Sequence, residues 1–299
     1  MKASAALAGQ EKTKLEYTFK NDTLFKLLFV KYPDLLKRLV AQLLSIQYES
    51  IGEFVINNSE IQPEALEEKF CRLDINMTVN GQRVDLEIQV ADEGDYPERS
   101  QYYWAREYSS ALPERGKYKD LPRTVIISIL GFNLFDCAEY HSEYQPLEVT
   151  RHTVLSDKQS LHYFELPKLP DIVNADDELK LWLALFKAET EEELAKIKAM
   201  EVPVMEQAID AYCHVKATKE FKELERIRSY ARHNEASALA HAAEKATNIA
   251  NKKWQGVVAK KDVALAEKDA VLAEKNAALA KHAAEIAELK SRLGEKTSF

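Results

Sequence analysis

Glycine and proline are scarce, with 8 and 9 in 299 residues. That excludes a loop-rich or disordered chain. A hydrophobic content of 46% is enough for one sizeable core plus an appendage, or for two modest domains. Cysteine is scarcer still. Cys71, Cys137 and Cys213 are odd in number and far apart, so no CxxC pair or disulfide framework arises, and a reducing compartment is indicated. No stretch approaches the roughly 18 apolar residues of a membrane span. The opening "MKASAALAGQEK" is too short and weakly apolar for a signal peptide, so a cytoplasmic chain without a membrane partner is expected. An excess of positive charge is also lacking. The net charge is −8, and both sides of Pro170 are acidic. A nucleic-acid-binding domain basic in bulk is excluded, leaving local patches or bridging metal ions. There is no glycine-rich phosphate loop, nucleophile elbow or zinc-finger pattern. His141, His152 and His162 are not at a metal-ligand spacing, and His214, His233, His241 and His282 fall on helical polar faces.

What is present begins with helices. "NDTLFKLLF", from Asn21, reads as a helix start that Asp22 can cap. "DLLKRLVAQLLS", Asp34 to Ser45, is a second helix with a strong apolar stripe. Glu53 to Asn57 reads as a short strand, and a hairpin follows from about Phe70 to Val90. "YPERSQYYWAREYSSAL" predicts a helix starting near Pro97. "RTVIISIL", Arg123 to Leu130, reads as a strand covered on both faces. "LEVTRHTVL" and "LHYFELPKL" are two further strand candidates about the turn-like "SDKQS". Beyond Asp171 the pattern becomes helical, through "ADDELKLWLALFKA", "EEELAKIKAM" and the stretch from Pro203 to about Lys253. Leu265, Leu272, Leu279, Ile286 and Leu293 then recur every seven positions. That period predicts a long helix with a coiled-coil seam. If the leucines are d positions, however, the a positions are Asp262, Asp269, Asn276, Ala283 and Lys290. A paired coiled coil and a solvated single helix are both open.

The hairpin carries the chemistry. Asn80-Gly81 suits a type I′ turn, which needs positive φ at both residues. A two-residue loop pairs Val79 with Gln82, then Thr78 with Arg83, Met77 with Val84, Asn76 with Asp85, Ile75 with Leu86 and Asp74 with Glu87. Alternation puts Leu73, Ile75, Met77, Val84, Leu86 and Ile88 on one face. Asp74, Asn76, Thr78, Arg83, Asp85, Glu87 and Gln89 share the other. Opposed β-carbons lie roughly 4.5–5.5 Å apart, where two like charges repel. Three readings follow: a solvated face on which Arg72 and Arg83 neutralise the acids, two carboxylates sharing a proton, or a hard-cation site of carboxylates, waters and phosphates.

These residues resemble the PD-(D/E)XK nucleases, and in particular the Rpn family of recombination-promoting nucleases, also described as transposases. Asp74 in "RLDI" matches the first acid, and Glu87-Ile88-Gln89 in "LEIQV" the second element. "NDTLFKLLF" resembles the family's opening Asp–Phe–Lys helix through Asp22, Phe25 and Lys26. "RSQYYWAREYSSAL", "ELPKLP" and "LKLWLALFKA" resemble segments that follow the motif. The likeness covers roughly Lys20 to Ile249. The motif lysine is Gln89 here, and glutamine can only donate and accept hydrogen bonds.

The resemblance implies metal-assisted phosphodiester hydrolysis of DNA. Asp74 and Glu87 would hold Mg²⁺ (Mn²⁺ or Ca²⁺ as alternatives), with the carbonyl of Ile88 helping and Gln89 aligning a water. Asp85 is a supporting acid or a partner to Arg83. Arg115, Lys117 and Lys119 form a basic loop that suits a DNA backbone and equally reads as solvated. Arg99 and Arg106 lie on the helix after the hairpin, where they could meet phosphate. Lys26 could approach the site only if its helix packs near the hairpin.

The expected fold is α/β, a restriction-endonuclease-like core with a mixed central sheet flanked by helices, followed by an all-α region ending in a long helix or coiled coil. The expected division is 1–19 as a flexible N-terminus, 20–170 as the PD-(D/E)XK nuclease-like domain, 171–253 as a helical region and 254–299 as a heptad-repeat helix or coiled coil. The C-terminal helix could pair two copies. The rival function is an inactive nuclease-fold scaffold that acts through DNA or protein binding.

Overall fold

The structure, a computed structural model, describes residues 13–57, 75–112 and 114–296. The chain divides into two compact units, Met1–Ala231 and Arg232–Phe299. Asp74, Arg72 and Cys71 lie outside the described residues, and with them the hairpin from Phe70 to Asp74.

In the first unit, two helices, α1 (Asp22–Lys31) and α2 (Pro33–Leu43), precede strands β1 (Phe54–Ile56), β2 (Ile75–Val79) and β3 (Gln82–Gln89). Helix α3 (Tyr96–Ser110) carries the chain to β4 (Thr124–Leu130). Strands β5 (His141–Tyr144) and β6 (Gln159–Glu165) then complete a six-stranded sheet of order β1-β2-β3-β4-β6-β5. The pairs β3–β4 and β4–β6 are parallel, and the other pairs are antiparallel. Helices α4 (Glu178–Lys187), α5 (Glu191–Lys198) and α6 (Pro203–Ala217) follow, and then α7 (Lys219–Lys296). This is the mixed sheet with flanking helices and a long C-terminal helix that the sequence suggests. No helix among the described residues is long and apolar enough to cross a membrane.

The two sheet faces have different cover. Val84 and Leu86 of β3, with Val125, Ile127 and Ile129 of β4, join Leu24, Leu28, Leu36, Trp182 and Phe186 in one core. Trp182 is wholly buried, and such a side chain contributes about 1.5–3 kcal/mol or more by leaving water. α3 covers the other face, where Tyr96 and Tyr103 pack on Ile126, Leu130, Leu161 and Tyr163. The β4 run is buried at every position, because it has a helical layer on each side.

The hairpin register holds from Val79↔Gln82 to Ile75↔Leu86. Asn80 and Gly81 take positive φ, at 48° and 74°, as a type I′ turn requires. Two local expectations are corrected. The cap of α1 is Asn21, whose side chain accepts from the Leu24 N–H; Asp22 is inside the helix and pairs with Arg228. "LEVTRHTVL" is not a strand. The Glu148 carboxylate accepts from the Arg151 N–H, His152 takes φ 55°, and the segment folds back with only a Leu147↔Val154 bridge. The edge strand beside β6 is instead the polar stretch His141–Tyr144.

Candidate active site

Alternation along β3 aims Asp85, Glu87 and Gln89 at the α3 side of the sheet. The face there is not solvated. Glu87 is 4% exposed and Asp85 8%, because α3 starts nine residues after Glu87 and drops Tyr96 onto the sheet. The Tyr96 hydroxyl lies 3.0 Å from Glu87 Oε2 and 2.9 Å from Ser128 Oγ. Ser128 sits in register with Glu87 on one side and Tyr163 on the other. Glu87, Ser128 and Tyr163 thus form a polar row across three strands, with Tyr96 above it.

Among the described residues the row has one unsatisfied member: Glu87 Oε1 is buried and meets no hydrogen-bond partner there. An uncompensated carboxylate oxygen away from water is costly, by several kcal/mol when it is charged. An oxygen of that kind suits a hard cation, and the donor type is right for one. Among the described residues no group of three or more His, Cys, Asp or Glu side chains converges as a metal site; Asp74, matched from sequence to the first acid of the motif, lies outside them.

The other residues singled out from the sequence fall in different parts of the first unit. Gln89 lies one step along the Glu87 face, and its Nε2 donates to the Ala91 carbonyl at 2.9 Å. Beyond it Gly131 closes on the β3 end: its N–H donates to the Gln89 carbonyl at 2.8 Å, and a Cβ there would stand 2.9 Å from the Val90 carbonyl oxygen. Arg99 is beside the row, with its guanidinium 4.9 Å from the Tyr96 ring centroid and 2.5 Å from Glu93. Arg106 and Tyr102 are exposed on the outer face of α3. Arg115, Lys117 and Lys119 are exposed on the loop after α3. Lys26 is buried on α1, and the apolar residues of α1 belong to the core on the opposite sheet face. Arg83 bonds to Glu107 and Ser110 of α3, at 3.3 and 3.0 Å.

Sequence reading missed Tyr96 and Ser128. The signal for Ser128 was there, as the one polar residue in the run Val125–Leu130. It missed a second cluster altogether. His141 and His162 stand on paired strands with Nε2 and Nδ1 3.1 Å apart. Ser160 Oγ lies 2.9 Å from His162 Nε2 and donates to Glu143 at 2.8 Å. Burial pushes His162 down to about 4 and lowers His141 as well. Burial also raises the Tyr163 phenol, and the charge of Glu87 adds to the rise.

The sequence matches one family model, that of the PD-(D/E)XK nuclease family transposases, over residues 19–242. No curated protein and no solved structure matches the chain. The family match spans about three quarters of the chain and contains both the sheet and the Glu87 row. The chain belongs to the PD-(D/E)XK nuclease family transposases.

Proposed function

We propose that this chain is a metal-dependent DNA endonuclease that serves recombination or transposition. One observation supports the reading: Glu87, the acid of the Glu-x-Gln motif, is buried with Oε2 held by Tyr96 and Oε1 without a partner among the described residues. Asp74 immediately precedes β2, and the hairpin register read from sequence sets it opposite Glu87. The two carboxylates would hold a divalent ion, Mg²⁺ first. When bound, such an ion polarises a phosphate and makes a coordinated water more acidic.

The protein's own part is positional. Tyr96 fixes the carboxylate of Glu87, and α3 keeps bulk water from it, so charges there interact more strongly than at a surface. Gln89 carries no charge and cannot act as the base; its amide can only orient a water or a phosphate oxygen. Arg115, Lys117 and Lys119 would hold the DNA backbone, and the heptad face of α7 would pair two copies, as concerted cutting of two strands needs.

The rival is an inactive nuclease-fold scaffold. The commitment of the Gln89 amide to Ala91 favours it. Plasmid DNA incubated with the protein and Mg²⁺ or Mn²⁺, beside Glu87→Gln, separates the two. Metal-dependent nicking lost in Glu87→Gln supports the nuclease. Nicking that survives the substitution rejects Glu87, and no nicking across several DNA forms and metals supports the scaffold.

A further inference from the structure

On the sheet face that carries Glu87, the start of α3 and strands β5 and β6 enclose a cleft of about 290 Å³. Tyr163 and Leu161, 3% and 5% exposed, form its floor. Phe135 and Tyr144 stand as walls, their ring centroids 5.1 and 5.7 Å from that of Tyr163. Gln101 and Gln145 line the mouth. Gln101 Nε2 donates to the Pro97 carbonyl and Gln145 Nε2 to Glu143, at 3.1 and 2.9 Å. Among the described residues, neither amide oxygen is used.

Four features of the cleft select its ligand. No charged side chain lines it, so it suits neither a phosphate nor a metal ion. Its walls are aromatic, and flat rings stack on such walls with little regard to substituents. Its volume is at the low end of ligand pockets, roughly 300–1,000 Å³, enough for one ring system and not for a large cofactor. The free amide oxygens accept hydrogen bonds from an edge that carries N–H groups. A neutral, planar heteroaromatic ring with such an edge is a nucleobase. The place agrees: Tyr163 is two strands from Glu87 by way of Ser128, roughly 10 Å at the usual strand spacing.

We propose that this cleft is a subsite for one unpaired base of the DNA strand whose phosphate lies at Glu87. The proposal rests on the nuclease reading and deepens it: the preferred substrate is single-stranded or carries a base that has left the stack, since a base inside a duplex cannot reach the cleft.

The test is binding without cleavage, in the Glu87→Gln protein. A labelled thymidine octamer and an octamer of abasic sites are titrated and followed by fluorescence anisotropy. The thymidine octamer is expected to bind roughly 10-fold more tightly, a typical effect of one stacked base. Tyr144→Ala should abolish that difference and Tyr144→Phe should keep it. Tyr144 is on an edge strand and 46% exposed, so its removal leaves the core intact. Gln101→Ala, on exposed helix surface, should weaken the thymidine octamer 2- to 5-fold and leave the abasic one unchanged, about one neutral hydrogen bond. Equal affinity for the two octamers, no binding of either, or an equal loss on both in Tyr144→Ala overturns the subsite. Nicking by the parent protein alongside base-independent binding would sink the subsite alone; base-dependent binding without nicking would sink the nuclease alone.

Discussion

Tyr96 holds Glu87. Its hydroxyl is 3.0 Å from Oε2 of a carboxylate whose other oxygen has no partner among the described residues. A phenol has one hydrogen, and a carboxylate is the stronger acceptor, so Ser128, 2.9 Å away, donates to the phenol oxygen in turn. Tyr96→Phe removes the link between the two and leaves both ends unpaired in a buried place. The expected loss of stability is about 1–3 kcal/mol, read as a lower urea midpoint. Cleavage should fall roughly 10- to 100-fold, as when a partner behind a metal ligand is lost. Unchanged cleavage would mean that the orientation of Glu87 does not matter.

Glu87→Gln separates function from stability. The buried charge disappears and the oxygen facing Tyr96 remains, so the urea midpoint should hold or rise. Cleavage should drop by on the order of 100-fold or more, the scale of losing a principal electrostatic group. A fall of more than about 2 kcal/mol in stability would recast Glu87 as a structural residue, since that is the cost of breaking a needed buried polar contact.

The loop of Arg115, Lys117 and Lys119 is exposed, and none of the three makes an ion pair with a described residue. If they neutralise phosphates, replacing all three with alanine lowers the slope of log affinity against log salt by about 0.7 per lost contact on single-stranded DNA. The loss should be the same on unrelated sequences, because phosphate contacts carry no base information. An unchanged slope would make the loop a solvated surface.

The legible parts of the sequence were those with a local signal. Asn80-Gly81 set the β2–β3 register, and the unbroken run at β4 announced a strand covered on both faces. Both follow from neighbours in the chain. The misreadings were tertiary. "LEVTRHTVL" has strand composition, yet Val149 and Leu155 are 88% and 83% exposed because a Glu148 turn reverses the chain. His141–Tyr144 looks too polar for a strand and becomes one by pairing with β6. The acid face of the hairpin leaves a solvated surface, a shared proton and a cation site all open until α3 is placed over it, and no spacing within the hairpin reveals Tyr96.

Four of the five heptad positions face solvent along α7. Leu265, Leu272, Leu279 and Ile286 are all more than half exposed in the second unit. Burying such a row in a second copy would contribute about 0.8 kcal/mol per methylene-sized group, against Asp262 and Asp269 in the seam. Sedimentation equilibrium of the full chain should give twice 34.1 kDa, and a chain ending at Lys253 should be monomeric. Equal mass per chain in both would remove the pairing role.

The cluster on β5 and β6 predicts an acid-labile edge. Ser160 donates to Glu143, so its oxygen accepts from His162 Nε2–H, and His162 Nδ1 accepts from His141 Nε2–H. That chain needs the His162 imidazole neutral, because its Nδ1 must accept. Protonating His162 puts a hydrogen on Nδ1, facing the one from His141, and Arg123, 3.9 Å from Glu143, adds to the penalty. Burial lowers His162 from 6.5 to about 4 in the folded protein, so between those values the unfolded chain binds the proton more readily. The contribution of His162 is therefore full above pH 6.5 and is lost as pH falls toward 4, by at most about 3 kcal/mol. Glu143 is lowered too, and its part is lost at the acid end of the same descent. Urea midpoints measured from pH 7.5 to 4.5 should fall, and His162→Gln should fall less steeply over the same range. Parallel curves for the two proteins would show that His162 keeps its ordinary affinity for protons.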